Sequence, residues 1–426
     1  MKREWRLTIH KSRLTPSRSP LYMPLMTKVL IIGAGHAGGS VAAFLRQYGH
    51  EGPIVLVGEE DAPPYQRPPL SKAWLKGEAD LEALLLRPLS FYQEQGIAFR
   101  PSTVAVSVDP EAKTVAFHDG SSEPYDVLVL ATGSTARKLP VPGGDHPDLL
   151  ELRTLKDAER LKAVLGPGKR LAVVGGGYVG LEAAASARAL GAEAVVIERA
   201  PRVLARVASE TLSAFFTAQH RARGVEIITG AEVVAVAHDG VTLADGSAVQ
   251  ADAVLVGVGA LACDSLARSA GLRCDDGVVV DDQARTSDPA IFAVGDMTRR
   301  PIPVHGGVSH RLESVPNALE QAKQAAAAIV GRPGPAPEVP WFWSDQYDFK
   351  LQIAGLPFDA DRQVVRGDPS AGGFAVFHLN GDRVVCVEAV NAPPEFMAGK
   401  QLIGKATPVD AAKLADVSVS MKAVGV

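Results

Sequence analysis

From residue 27 onward, apolar residues fall into short runs that end on glycine. Between them lie longer stretches whose apolar residues recur every three to four places. KVLII at 28–32 leads into GAGHAGG, then SVAAFLRQY, then a second apolar run, IVLV at 54–57. A continuous apolar run bounded by turn residues reads as a buried parallel strand, and the spaced pattern as an amphipathic helix. The stretch predicts strand, glycine turn, helix, strand. RLAVVGGGYVGLEAAASARALGAEAVVIER at 170–199 repeats that grammar. Each unit is about 30 residues long, the length of a βαβ crossover.

The same patterns organise the rest. DVLVLATGS (126–134), ADAVLVGVGA (251–260) and TSDPAIFAVGD (286–296) each read as a strand running into glycine. ELRTLKDAERLKAVL (151–165) reads as a helix. So does SVPNALEQAKQAAAAIV (314–330), with Pro316 in its first turn, where proline is tolerated. GRPGPAPEVP (331–340) has the composition of a linker. From 341 to about 405 the chain alternates in the manner of strands, and FAVFHLNGDRVVCVEAV reads as a hairpin turning at Asn-Gly-Asp.

The two units carry chemistry in their turns. Gly33, Gly35 and Gly38 form GxGxxG between strand and helix. The first glycine permits the tight turn, the second lets a pyrophosphate approach, and the third lets helix and strand pack. The free amides of the following helix bind the anion. Glu59 ends the second strand 26 positions after Gly33, where an acid accepts ribose hydroxyls. Gly175, Gly177 and Gly180 repeat the motif, with Glu198 23 positions after Gly175. A carboxylate there repels a 2′-phosphate, which predicts NADH over NADPH. Arg199, Arg202 and Arg206 follow and would soften that preference, unless they form only a solvated basic face. Two nucleotide sites predict a relay in which a held flavin takes hydride from a visiting nicotinamide. Asp296, after IFAVG, is placed to hold a ribityl hydroxyl, although Gly-Asp after a strand is more often a plain turn.

Composition narrows the class. At roughly 150 residues per domain, 426 residues suggest about three domains. The apolar share of 46% is that of an ordinary globular protein, and a net charge of −4 argues against a nucleic-acid partner. Residues 1–26 hold six Lys and Arg against the single acid Glu4; they read as a loose, disordered basic extension. No run reaches the ~18 apolar residues of a membrane span. Cys263, Cys274 and Cys386 form no CxxC or CxxxxC pair, so neither an iron–sulfur cluster nor a disulfide framework is expected. The cytoplasm is the expected location. Histidines show no metal-ligand spacing, and no metal site is expected.

Taken together, GAGHAGGSVAAFLR, RPPLSKAWL, LATGSTARKLPVPG, LRTLKDAE, GGGYVGLEAAA, TSDPAIFAVGD, RLESVPNALEQAK and PWFWSDQY resemble the FAD-dependent ferredoxin reductases of bacterial oxygenase systems, the putidaredoxin reductase type. These lie within the wider glutathione-reductase-like class. The likeness covers residues 27 to about 405. It implies an α/β fold with two Rossmann-like domains and a C-terminal α+β domain. The expected division is 27–134 with 260–335 for FAD, 135–259 for NAD and 336–426 for the last domain. The resemblance implies tightly bound FAD at Gly33, Gly35, His36, Ala37, Gly38, Glu59, Arg67, Lys72, Ala105, Ala131, Gly133, Arg137, Arg153, Asp296 and Val315. It implies NADH at Gly175, Gly177, Tyr178, Val179, Gly180, Glu198, Arg206 and Gly259. The chain departs from the family after GVGA, where LACDSL lacks the usual proline.

The stiff loop PPYQRPPLSK (63–72) takes its meaning from that resemblance. Disulfide reductases of the class carry a CxxxxC pair here, and the peroxidase and oxidase branch a single cysteine; this chain has Pro68, Pro69, Leu70, Ser71 and Lys72. Electrons therefore leave for an external acceptor, expected to be a [2Fe–2S] ferredoxin that feeds an aromatic-ring dioxygenase or a haem-thiolate monooxygenase. The prolines fix backbone angles and lower the ordering cost of the loop. The resemblance implies that Lys72 sits beside the flavin, paired with Glu182, and stabilises charge that develops there. Trp341 and Trp343 are candidates to flank the flavin edge; Trp343 is expected there, and one of the two is expected to anchor the core of the last domain. Arg299, Arg300 and Arg311 are candidates for docking an acidic ferredoxin. A rubredoxin reductase, an NADH oxidase and an apoptosis-factor-like redox sensor are the alternatives. Monomer and homodimer both remain open.

Overall fold

The computed structural model describes residues 26–426. Except for Met26, the basic extension expected over 1–26 lies outside the described residues. The first unit runs β1 (Val29–Ile32), α1 (His36–Gln47) and β2 (Ile54–Val57), followed by β3 (Ile97–Arg100) and β4 (Val127–Leu130). Helix α2 (Leu155–Val164) precedes the second unit: β5 (Arg170–Val174), α3 (Tyr178–Ala189), β6 (Glu193–Glu198), α4 (Glu210–Ala222), β7 (Val225–Thr229) and β8 (Ala253–Val256). Then come β9 (Ile291–Ala293), β10 (Thr298–Ile302), β11 (Val308–Arg311) and α5 (Val315–Ile329). The last part holds β12 (Trp341–Gln346), β13 (Phe349–Gly355), β14 (Arg362–Asp368), β15 (Gly373–Asn380), β16 (Arg383–Val390) and α6 (Pro393–Lys405).

The first sheet is parallel in the order β9–β4–β1–β2–β3, and the second is parallel in the order β7–β6–β5–β8. In each, the strand order reverses beside the first strand, between β1 and β4 and between β5 and β8. Ligands bind at such switch points, outside the carboxyl ends of the strands. Strands β1, β2 and β4 are buried on both faces, as their unbroken apolar runs require. A small three-stranded antiparallel sheet fills the connection before β4, and another fills that before β8. Ser134–Ala136 pairs with Ala260–Ala262, tying the two units together. The last sheet is antiparallel, β12–β13–β16–β15–β14.

Three sequence expectations need correction. The helix expected over 151–165 begins only at Leu155, because Thr154 caps it with Asp157 in a reciprocal capping box. This leaves Arg153 outside the helix, free to turn elsewhere. The strand expected within 286–296 is confined to β9; Asp288 takes the amide of Ala290 in a side-chain turn just before it. The strand-like tail ends at Val390, and 393–405 is helix α6, with prolines at its first positions. Its Phe396, Gly399 and Ile403 are buried at helical spacing, a period masked by the surrounding small and polar residues. The hairpin at Asn380-Gly381-Asp382 forms as expected.

Candidate functional site

The two glycine turns are built alike. Gly33 and Gly175 both have φ of +112°, a region that disfavours a side chain. A Cβ on Gly33 would lie 2.2 Å from the Ala131 carbonyl oxygen, and one on Gly175 2.4 Å from that of Gly257. Backbone meets backbone at both switch points. A Cβ on Gly38 or Gly180 would strike the carbonyl of Gly33 or Gly175, so these glycines seat the helix on its strand. Gly35 and Gly177 differ. Their φ values of −81° and −80° suit any residue, and a Cβ would meet nothing within 4 Å. The protein itself does not require glycine there; the open space in front does. Neither α1 nor α3 has a side-chain cap, so their first amides face that space unpaired. Such a cradle fits a dinucleotide pyrophosphate.

Both cradles open into one cavity of about 2640 Å³. Pockets for single drug-sized ligands are typically 300–1,000 Å³, so this one has room for two dinucleotides. Every residue expected at the site lines it, apart from Gly38, which is buried behind the turn. The acids differ in state. Glu59 is exposed, whereas Glu198 accepts the amides of Gly176 and Ala200, each at 2.7 Å. Arg199 and Arg206 are exposed on the wall beside it. Arg202 instead donates to the carbonyls of Ala205, Ala208 and Ser209, and so holds its own loop.

The proline loop forms a turn of 3-10 helix at Pro68–Ser71. Arg67 ahead of it is gripped by Glu60 at 2.8 Å and by the Tyr65 hydroxyl at 3.1 Å, and it donates to the Arg153 carbonyl. Tyr65 also donates to Glu60 at 2.7 Å. After the turn, Lys72 Nζ lies 2.6 Å from Glu182 Oε2 on α3 and 3.2 Å from the Pro68 carbonyl. Across the cavity Arg153 Nη2 pairs with Asp296 at 3.0 Å, its Nε donates to the Ser134 carbonyl, and Ser134 Oγ donates to Asp296 at 3.1 Å. His36 sits at the start of α1, and its Nδ1 is buried without a partner. Burial pulls its pKa down to about 4 against the opposing pull of Asp296, so the ring is neutral. Sequence reasoning missed Glu60, Tyr65, Ser134 and Ser71, because short polar residues beside a turn carry no spacing signal.

Helix α5 is capped by Ser314, which accepts the Asn317 amide, and Val315 lies on the wall. Trp341 and Trp343 also line the cavity, with rings 5.7 Å apart. Trp341 packs on Phe396 of α6 in the last domain's core. Two of the docking arginines are misplaced by the sequence reading. Arg300 is 3% exposed and forms a two-pronged pair with Glu320 of α5, so no partner can reach it. Arg311 is largely buried and paired with Glu313 and Asp276. The cause is the pleat of hairpin β10–β11, which turns Arg300 inward. Arg299, on the other face, is partly exposed beside Asp275.

Cys263 and Cys386 line the cavity as free thiols, and burial raises both pKa values. A thiol so placed is a poor nucleophile. Among the described residues no cluster of His, Cys, Asp and Glu could hold a metal, and no helix is long and apolar enough to cross a membrane.

Residues 27–322 match the family described as pyridine nucleotide-disulphide oxidoreductase, and residues 341–425 match the reductase C-terminal domain. "Probable ferredoxin reductase CtmF" of Castellaniella defragrans is 50% identical over 404 residues, covering 94% of this chain and 99% of that one. Putidaredoxin reductase CamA of Pseudomonas putida is 42% identical, covering 93% and 96%. The crystal structure of the covalent putidaredoxin reductase–putidaredoxin complex superposes with a TM-score of 0.91 at 41% identity, covering 93% of this chain and 98% of that one. Two free-amide cradles on one cavity, with no thiol pair between them, agree with these matches. The chain belongs to the pyridine nucleotide-disulphide oxidoreductase family, as an FAD- and NAD(P)H-using oxidoreductase of the putidaredoxin reductase type.

Proposed function

We propose that this protein moves electrons from NADH to a small [2Fe–2S] ferredoxin in the cytoplasm, and that the ferredoxin serves an aromatic-ring dioxygenase or a haem-thiolate monooxygenase. One observation carries the reading: both nucleotide cradles open into a single cavity whose proline loop offers a lysine and no thiol. Bound FAD supplies the redox chemistry, accepting a hydride and giving up electrons singly. The names of the relatives, among them a ferredoxin reductase and a putidaredoxin reductase, support the choice of acceptor.

The residues of the chain divide the work. The amides behind Gly35 and the carboxylate of Glu59 bind the pyrophosphate and ribose of FAD. Arg153 and Ser134 orient Asp296 toward the ribityl chain. Lys72, partly buried on the cavity wall, would offset negative charge on a flavin held there. The amides behind Gly177, with Glu198, bind NADH and exclude a 2′-phosphate. The N-terminus of α5, which lies on the cavity wall, would offer its positive dipole end to a bound flavin. Residues 27–134 and 260–335 form the FAD-binding part, 135–259 the NAD-binding part and 336–426 the last domain; this division follows the two parallel sheets.

The test is an acceptor assay. Purified protein should be yellow and should reduce cytochrome c with NADH only after a ferredoxin is added. Rapid peroxide formation without any acceptor would instead mean an oxidase. A long-lived complex with NADH and negligible turnover would mean a sensor.

A further inference from the structure

Glu182 is 5% exposed, in the middle of the protein on α3. A carboxylate so placed stays ionised only if its lone pairs are filled. Oε2 accepts from Ser71 Oγ at 2.5 Å and from Lys72 Nζ at 2.6 Å; Oε1 accepts from Ser344 Oγ at 2.6 Å. Ser344 is fully buried on β12 of the last domain. Beyond it the polar contacts continue through buried Gln346 and His220 to the partly buried Tyr347.

Their directions follow from counting protons. Ser344 has one hydroxyl proton and gives it to Glu182, so it must receive from Gln346 Nε2 at 3.2 Å. That turns the Gln346 amide oxygen toward His220 Nε2, 2.9 Å away. An amide oxygen only accepts, so His220 carries its proton on Nε2 and leaves Nδ1 bare. The Tyr347 hydroxyl, 3.1 Å from Nδ1, must then donate. Tyr347, His220, Gln346 and Ser344 all donate in one direction, toward Glu182. Bonds aligned this way polarise one another.

We propose that Ser344, Gln346, His220 and Tyr347 are positioning residues, a one-way series of hydrogen bonds by which the last domain, through His220 of α4, holds Glu182 ionised beside Lys72. Glu182 in turn fixes where the Lys72 charge sits. The titratable donors of the series, His220 and Tyr347, do not reverse near neutral pH. Burial lowers the His220 pKa to about 4 and raises that of Tyr347 to about 12. The other groups nearby are silent as well. On α3 itself Tyr178 is pushed well above its ordinary value by burial, with Glu388 and Cys386 adding to the push. Arg223 lies 4.6 Å from the Tyr347 ring and stays charged. Lys72 is the only cation in direct contact with Glu182 among the described residues.

This inference deepens the reading of Lys72 as the cation at the flavin, and rests on that reading for its catalytic consequence. Its test reads Glu182 directly and involves no ferredoxin, so the two fail separately. The holoprotein is titrated by difference infrared spectroscopy, with Glu182→Gln identifying the carboxyl band. Removing a donor from an ionised carboxylate raises its pKa. Ser344→Ala should move the protonation of Glu182 to higher pH, because its charged form loses a donor. Gln346→Met, which keeps volume and removes the amide, should shift it less, in the same direction. Ser344→Thr should restore the original titration. The flavin midpoint potential should change its pH slope in the same window for Ser344→Ala. Superimposable titrations of the original protein and Ser344→Ala overturn the proposal. Should Ser344→Ala not fold, superposition with Gln346→Met overturns it equally.

Discussion

Arg300 and Glu320 face each other inside the protein, with Arg300 Nη1 3.0 Å from Glu320 Oε2 and Nη2 3.1 Å from Oε1. Arg300 also donates to Asn317, and Glu320 receives the amide of Glu338 in the linker at 3.0 Å. The pair therefore ties hairpin β10–β11 and the linker to α5. Removing one member leaves a buried charge alone, which costs about 3–5 kcal/mol. Arg300→Met should lower stability by that amount, and Arg300→Met with Glu320→Met should recover most of the loss. Denaturant unfolding of the four species of the cycle measures it. A single-substitution cost below about 1 kcal/mol, the range of exposed pairs, would contradict the burial.

Lys72 is the cation of the proline loop, held at 2.6 Å by Glu182. Replacing it with glutamine keeps a donor and removes the charge. The loss of one fixed group that stabilises developing charge typically costs about 10²–10³ in rate. Lys72→Gln should slow flavin reduction by NADH by about a hundredfold in stopped-flow absorbance, with little change in NADH affinity. An unchanged reduction rate would remove Lys72 from the chemistry.

Glu198 ends β6 on the cavity wall, with exposed Arg199 and Arg206 beside it. On the function proposed above, its carboxylate repels a 2′-phosphate, and the two arginines beside it are placed to receive one. Glu198→Ser should lower kcat/KM for NADH by about tenfold, one charge-assisted hydrogen bond's worth, and raise it for NADPH. Steady-state kinetics with both nucleotides decide it. A preference for NADPH before any substitution would reverse the assignment of Glu198.

The parallel sheets and their turns were legible because burial on both faces demands continuous apolar runs, and because Gly33 and Gly175 leave a fixed signature. The docking arginines were not. Arg299, Arg300 and Arg311 look alike in sequence, yet the pleat turns Arg300 inward onto an acid 20 residues away. Helix α6 was hidden for a related reason: its buried Phe396, Gly399 and Ile403 are too few to override a strand-like context. The series from Tyr347 to Glu182 includes single bonds across as many as 162 positions, between α3, α4 and β12 with the turn after it, and no local pattern encodes such contacts. What the resemblance supplied, the pairing of Lys72 with Glu182 above all, spacing alone would not have.

His220 has no exposed surface, and burial lowers its pKa from 6.5 to about 4. Below pH 6.5 the unfolded chain takes up a proton on this ring, while the folded chain refuses it until about pH 4. The unfolded state thus binds more protons across that window, and stability falls as pH falls through it. The drop attributable to His220 is on the order of 3 kcal/mol. His36, also lowered to about 4, adds a slope of the same sign. His220→Gln, neutral throughout, should flatten the dependence of unfolding free energy on pH between 6.5 and 4. An equally steep dependence in that variant would assign the effect to other groups.

With Arg300 buried and Arg311 paired, the exposed cations lining the cavity among the described residues are Arg137, Lys138, Lys156, Arg199 and Arg206, with Arg299 partly exposed on the hairpin. On the proposed reading they would attract an acidic ferredoxin at long range, and salt screens such forces beyond ~10 Å at 0.1 M. Hydride transfer within the cavity depends instead on contacts too close to screen. Raising salt from about 0.05 M to about 0.5 M should therefore slow ferredoxin-dependent cytochrome c reduction severalfold. Turnover with a small uncharged quinone should change little over the same range. Lys138→Glu, which reverses an exposed charge outside both nucleotide cradles, should lower the ferredoxin on-rate and make its salt dependence shallower. Arg300→Met, in contrast, should leave the salt dependence of the folded protein unchanged, because its guanidinium never reaches the surface. Equal salt sensitivity with both acceptors would show that docking does not rely on these charges.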